Sequence, residues 1–249
     1  MKTKYTIAIL TAVLISAASA QESPTSTPSP IQETPSDSIA PAESLMPSPA
    51  PTQTPSPAPA RSVRISFVPP PLEGTISLGI YDRAGKLVRV LHREAQLDQF
   101  QIGADALVTQ WDGKGNDGQD SPGAKYRARG YLVGRLKVED VGQVAESAPP
   151  KSPDPKVKVK LMPNPLANDK RSTIEVAAAF DADGTYLETS DDLPLFTVNK
   201  SPNLLGVSMA RAGEKSLDVW EDTGTGLHRF RISNVDQMMA FDCGEFELK

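Results

Sequence analysis

The chain has 249 residues, of which 39% are hydrophobic and 23% charged, and its formal net charge is −5. This acidic balance argues against a nucleic-acid partner, because binding to phosphates requires clustered lysine and arginine. Cys243 is the single cysteine, so no intrachain disulfide can form. Its apolar, strand-like surroundings favour a small buried hydrophobic residue over a reactive or dimer-forming thiol.

Residues 1–20 have the pattern of a secretory signal peptide. A basic region with Lys2 and Lys4 precedes a short apolar run, and Ala18-Ser19-Ala20 is a small-residue cleavage site. The apolar run is shorter than the roughly 20 residues that cross a bilayer, so a cleaved signal is favoured over an uncleaved anchor. We expect a secreted, periplasmic or cell-surface protein with no membrane span after cleavage.

Residues 21–61 are rich in proline, serine, threonine and alanine. Proline fixes φ and donates no N–H, and apolar side chains are too sparse here to offset the entropy of ordering. The segment is therefore predicted to be a disordered linker. Whether it holds the rest of the chain at a set distance from a membrane or wall, or is a spacer with no geometric role, is left open.

Residues 62–144 alternate between apolar and polar side chains in short runs separated by turn residues. Strands are predicted at 63–67, 76–80, 87–91, 107–111 and 125–133, with 135–141 as a possible continuation of the last. Short strands at this spacing are typical of a β-sandwich. The chain is thus predicted to be all-β, with this segment as the first of two modules.

The segment from Trp111 to Tyr126 joins two of these strands and is rich in turn residues. Its aromatic ends can seal a sandwich, and its Asp-Gly and Pro-Gly pairs favour tight turns. We interpret it as a long, glycine-rich hairpin loop that closes the module. The residues that define this motif are Trp111, Asp112, Gly113, Gly118, Pro122, Gly123 and Tyr126.

Residues 63–135 resemble the immunoglobulin-like (Ig-like) domain of the flagellar hook-capping protein. The resemblance implies an Ig-like fold and a bacterial source. It does not imply hook assembly, because nothing here is similar to the hook-binding region of that family. The matching residues are Ile80-Tyr81-Asp82, Gly85, Val88, Leu91, Trp111-Asp112-Gly113, Asp117-Gly118, Pro122-Gly123 and Tyr126.

Residues 145–155 form a second proline-rich segment, where we place a boundary between modules. Residues 156–249 return to short alternating runs, with Asp183-Gly184 as a hairpin turn and no convincing helix. This pattern predicts a second β-sandwich or barrel of about seven or eight strands.

The residues suited to catalysis do not form a recognisable set. His92 and His228 lie in different predicted modules, and neither has a metal-ligating neighbour at useful spacing. We therefore predict no catalytic, metal or cofactor site, and keep a cryptic hydrolase built around His228 as an alternative. Two acidic clusters invite a calcium hypothesis but are better explained as turns: Asp112, Asn116, Asp117 and Asp120, and Asp181, Asp183, Asp191 and Asp192.

Aromatic residues of the second module are the candidate ligand contacts. Trp220 lies at a strand end beside two acids, and Tyr186 and Phe196 are further candidates. An exposed tryptophan suits a sugar platform, although a core or rim tryptophan is the commoner case. The sequence favours a non-enzymatic binding or scaffold protein whose partner is a protein or glycan of the cell envelope. The alternative is a glycan-binding accessory protein that uses Trp220.

Overall fold

The structure is a computed structural model that describes residues 61–144, 156–167 and 172–249. These residues all belong to one unit, Pro55–Lys249. They form β-strands and a single turn of 3₁₀ helix at Leu97–Gln99, which confirms the predicted all-β class. Nowhere in these ranges is there a helix with the length and apolar character needed to cross a membrane. The predicted signal peptide, residues 21–60 of the linker and the segment 145–155 lie outside the described residues.

The strands of the first half match the predicted runs closely. They are β1 (Val63–Phe67), β2 (Thr75–Tyr81), β3 (Leu87–Ala95), β4 (Gln101–Ile102), β5 (Leu107–Trp111), β6 (Ala124–Val133) and β7 (Lys137–Val144). The second half contributes β8 (Val157–Lys160), β9 (Thr173–Asp181), β10 (Gly184–Thr189), β11 (Pro194–Asn199), β12 (Gly206–Gly213), β13 (Ser216–Asp222), β14 (Leu227–Ser233) and β15 (Met238–Leu248).

These strands pair into four antiparallel sheets within the described ranges. We name them in order: sheet I is β1-β5-β4, sheet II is β15-β6-β2-β3, sheet III is β11-β10-β9-β8 and sheet IV is β12-β13-β14-β7. Sheets I and II enclose the first hydrophobic core, and sheets III and IV enclose the second. The molecule therefore contains two sandwiches, as the alternating pattern predicts.

The strand order departs from the predicted division at 145–155. β7, from the first half, pairs with β14 in the second sandwich. β15, the C-terminal strand, pairs with β6 along the first sandwich. The ring of Phe241 on β15 stacks on Phe67 of β1 with centroids 5.1 Å apart, so the end of the chain helps to build the first core. The two sandwiches thus exchange strands, and 135–141 is not a continuation of β6 within its own sheet.

The part of sheet II that includes β2 and the end of β6 is buried on both faces. Leu132 of β6 packs in the first core, whereas its neighbour Val133 packs in the second. On β2, Ile80 is in the first core and the adjacent Tyr81, on the opposite face, is only 1% exposed. Strands that are buried on both faces lose the alternation between polar and apolar residues. Because its two faces contribute to different cores, sheet II is the layer that the two sandwiches share.

Charged and aromatic side chains line the junction between the sandwiches. Arg93 forms an ion pair with Asp181, with Nη1 and Oδ2 2.8 Å apart. Arg129 pairs with Asp191, and its guanidinium lies 3.8 Å from the centroid of the Tyr81 ring. Burial is the largest factor that raises the pKa of the Tyr81 hydroxyl, so the phenol stays neutral. These contacts join the two sandwiches through polar side chains, in addition to the β-strands that the sandwiches exchange.

The Trp111–Tyr126 loop crosses between sheets and is not a hairpin. β5, before it, pairs with β1 and β4, whereas β6, after it, pairs with β15 and β2. The Trp111 ring is fully buried, lies 4.9 Å from the Tyr126 ring, and donates from Nε1 to the Lys114 carbonyl oxygen. The hairpin interpretation was wrong because turn residues signal a reversal of direction but not which sheet receives the next strand.

The same loop holds the two ends of the described fold together. Arg61 donates from Nε to the carbonyl oxygen of Lys249 at 2.7 Å, and from Nη1 to the carbonyl oxygen of Ser121 at 2.8 Å. Gly113 has a φ of +76°, and a Cβ there would lie 3.2 Å from a methyl of Leu248. Glycine suits this position because of both the left-handed backbone and the close packing. The motif therefore has a structural role.

Candidate ligand-binding face

The outer face of sheet IV carries Trp220. Along β13, Leu217 and Val219 point into the second core, so Asp218 and Trp220 point away from it. Trp220 is half-buried, as expected for a large ring lying among neighbours on a sheet. The aromatic ring is thus partly accessible on the outside of the sandwich.

The register of sheet IV aligns three further residues in one row with this tryptophan. Trp220 lies opposite Ser208 of β12 and opposite Arg229 of β14, and Arg229 lies opposite Gly142 of β7. Directly opposite side chains on one face have Cβ atoms about 4.5–5.5 Å apart. We call Ser208, Trp220, Arg229 and Gly142 the Trp220 row. It crosses all four strands of the sheet.

Arg229 stands out among the charged residues of this face. Within the described part of the chain its guanidinium has no hydrogen-bond or ion-pair partner, and only its Nε is enclosed. Two residues along the same strand, Arg231 makes a two-point contact with Asp218, with N–O distances of 2.8 and 2.9 Å. Arg229 and Arg231 lie on the same strand and the same face. One is paired with a carboxylate and the other is not because their neighbouring residues differ.

Space is available beside Arg229. A Cβ built at Gly142, the residue opposite, meets no atom within 4 Å. Arg229 therefore has open space at its neighbour on β7 and Trp220 as its neighbour on β13. An aromatic surface next to an uncompensated cation can bind a ligand that has both an apolar face and a negative charge.

Comparison of the chain with protein-family models, curated proteins and solved structures gave no match. The resemblance of residues 63–135 to the hook-capping Ig-like domain stays a prediction.

The three predicted ligand-contact residues do not form one surface. Trp220 lies on the outer face of sheet IV, but Tyr186 lies at the junction, where the Arg93 guanidinium sits 4.3 Å from its ring centroid. Phe196 packs against the second core. Sequence reasoning missed Arg229 and Ser208 as neighbours of Trp220, because strand alternation gives the face of a residue but not its partner on the next strand.

The two histidines make different contacts. His228 Nε2 lies 2.5 Å from Asp140 Oδ1, and this hydrogen bond is the largest factor that lowers the pKa of Asp140. His92 Nε2 lies 2.7 Å from Thr109 Oγ1, and burial lowers the pKa of His92, which favours its neutral form. A catalytic set of nucleophile, base and carboxylate around His228 would need a hydroxyl or thiol group hydrogen-bonded to the other nitrogen of the same imidazole ring, in addition to Asp140. Asp140 is the one hydrogen-bond partner of His228 among the described residues.

The acidic clusters are engaged in local turns. Asp112 accepts the N–H of Lys114, Asp117 accepts that of Gln119, and Asp181 accepts that of Asp183. Within the described ranges no three acidic, histidine or cysteine side chains are grouped so as to hold a metal ion.

A concave region lies beside Arg129 on the first sandwich. A cleft of about 500 Å³ is lined by Tyr81, Arg83, Arg127 and Arg129, among others. Here Arg127 pairs with Asp242 and Arg129 pairs with Asp191, whereas Arg83 and Lys125 line the cleft with no ion pair among the described residues. The Trp220 row is the stronger candidate for ligand binding because it places an uncompensated arginine beside a partly accessible tryptophan.

Proposed function

We propose that this is an exported bacterial protein that acts by binding a component of the cell envelope, without catalysis. Exchange of β7 and β15 joins the two sandwiches into one body. Such a body can hold a binding face in a fixed orientation, which is the requirement for a scaffold or binding module. Export, the linker and the Ig-like nature of the first sandwich are part of this proposal and depend on the sequence pattern.

The observation that carries the proposal is the Trp220 row on the outer face of sheet IV. Aromatic residues and arginine are the side chains that most often dominate binding energy at interfaces. Here Trp220 and Arg229 lie side by side and are both partly accessible. We therefore assign partner binding to this face rather than to the Trp111–Tyr126 loop, whose aromatic residues are buried.

A glycan is the partner that this face fits best. A flat sheet surface with one accessible ring offers a platform for the apolar face of a sugar, and the Ser208 hydroxyl can donate to or accept from a sugar hydroxyl. A protein partner is the other possibility. The polar groups beside Trp220 favour the glycan, because sugars need hydrogen bonds around an apolar contact.

Co-sedimentation of the exported protein with isolated bacterial envelopes tests the proposal. Trp220→Ala should reduce the bound fraction at least about tenfold, whereas Phe180→Ala, which removes a 40% exposed ring elsewhere on the second sandwich, should not change it. Equal binding by the wild type and Trp220→Ala would contradict the assignment of this face. Turnover on a hydrolase panel that is lost in His228→Ala would instead support the hydrolase alternative.

A further inference from the structure

We infer that the Trp220 row binds an acidic saccharide, with the sugar ring on Trp220 and its carboxylate on Arg229. This inference rests on the proposed function and names the class of ligand. The chain has a net charge of −5, yet the centre of this face presents a cation that no described carboxylate neutralises.

The shape of Arg229 selects the kind of anion. Because Nε is enclosed, the terminal nitrogens are the groups that face outward. The two terminal nitrogens of a guanidinium lie in one plane at a spacing that matches the two oxygens of a carboxylate. Arg231 on the same face holds Asp218 through Nε and Nη2, whereas Arg229 would hold a ligand through its two terminal nitrogens. Leaving the Arg229 donors without an anion in a partly enclosed position is unfavourable, so a ligand carboxylate gains a charge-assisted contact there.

The neighbours of Arg229 select the framework that carries the carboxylate. Trp220 on one side offers an aromatic surface, and Ser208 beyond it offers a hydroxyl. Gly142 on the other side leaves open space. Neighbouring strands lie about 4.8 Å apart, so the row is roughly 14 Å across, wide enough for a short oligosaccharide. A uronic-acid chain supplies ring faces, hydroxyls and carboxylates in this arrangement.

Affinity electrophoresis and calorimetry of the full exported chain test the inference with a matched pair of probes. Polygalacturonate carries the carboxylates, and its fully methyl-esterified form removes the charge but keeps the sugar rings. We expect the wild type to bind polygalacturonate at least about tenfold more tightly than the ester. Arg229→Ala should abolish this preference, and Arg229→Lys should restore it only in part, since lysine lacks the planar fork.

Arg64→Ala is the matched control for charge. Arg64 is an exposed residue of β1 in the first sandwich, so its loss changes the net charge equally and should leave binding unchanged. Unchanged circular dichroism and melting temperature would show that each variant is folded.

The outcomes separate this inference from the proposed function. Equal binding of the acid and the ester, lost in Trp220→Ala but kept in Arg229→Ala, would overturn the acidic ligand and leave glycan binding by this face intact. Polyglutamate bound as tightly as polygalacturonate would overturn the saccharide class. Absence of binding to both polysaccharides would overturn the inference, and envelope binding that is also insensitive to Trp220→Ala would remove the proposed function.

Discussion

The backbone N–H of Gly134 donates to the carbonyl oxygen of Gln237 at 2.7 Å. Gly134 lies where the chain leaves the first sandwich between β6 and β7, and Gln237 lies where it returns between β14 and β15. The bond therefore joins the two crossing segments. Because each sandwich uses a strand from the other half of the sequence, the two should fold as one cooperative unit.

A fragment of residues 61–144 is expected not to fold alone. It lacks β15, which pairs along the length of β6 and supplies Phe241 and Leu248 to the first core. Its own β7 would also lose its partner β14. Thermal unfolding followed by circular dichroism should show a single transition for 61–249 and none for 61–144. A cooperative transition of the shorter fragment near that of the longer one would refute strand exchange.

Phe241→Ala should destabilise the protein by about 3–5 kcal/mol, the usual loss for a buried phenylalanine. The Phe241 ring is 7% exposed and stacks on Phe67, so truncation leaves a cavity in the first core. Chemical denaturation measures the change in the free energy of unfolding. Phe180→Ala, at a 40% exposed ring, should change it by only about 0.5 kcal/mol. Similar losses for both variants would be inconsistent with the burial of β15.

Cys243 should resist thiol reagents at pH 8 in the native protein. Burial, followed by the nearby charge of Asp242, raises the pKa of the Cys243 thiol to about 12, so very little reactive thiolate is present. Titration with a disulfide reagent should proceed slowly in buffer and quickly in guanidinium chloride. Rapid modification of the folded chain would contradict this placement of the thiol.

Glu188 should make stability fall as the pH rises from about 4.5 to about 7. Burial is the largest factor that raises the pKa of Glu188 to about 7, and Asp192 raises it further while Lys156 opposes. Since the folded carboxyl holds its proton more tightly than the unfolded one, its contribution is present below pH 4.5 and is lost through this window. Glu188→Gln should therefore gain stability relative to the wild type as the pH rises. An identical pH dependence for the two proteins would show that the carboxyl is not perturbed.

Alternation along single strands was sufficient to predict the all-β class and most strand positions. Val63, Ile65 and Phe67, for example, mark β1 because each apolar residue has a polar neighbour that faces the other way. A hairpin turn at Asp183-Gly184 was also predicted, and β9 and β10 do pair there. The turn residues, however, are Ala182 and Asp183, since Gly184 already pairs with Asp181. Strand alternation and turns depend on a few consecutive residues, so the sequence alone is sufficient to predict them.

Pairing between distant strands could not be predicted in the same way. Nothing in the alternation of Met238–Leu248 shows that it pairs with β6 rather than with a strand of the second half. Tyr186 illustrates the same limit, since an outward side chain is accessible only if no other sheet covers it, and here Arg93 of β3 does. The pairing of Trp220 with Arg229 across adjacent strands also depends on register, which arises only when the whole sheet forms.

Acrylamide quenching of tryptophan fluorescence tests the central claim, that the Trp220 face binds the envelope partner. The chain has two tryptophans, and Trp111 is fully buried, so the quenchable emission reports on Trp220. A Trp220→Phe variant provides the background spectrum. Bound envelope polysaccharide should protect the Trp220 emission from acrylamide. Unchanged quenching of Trp220 in protein that is shown to be bound would contradict it.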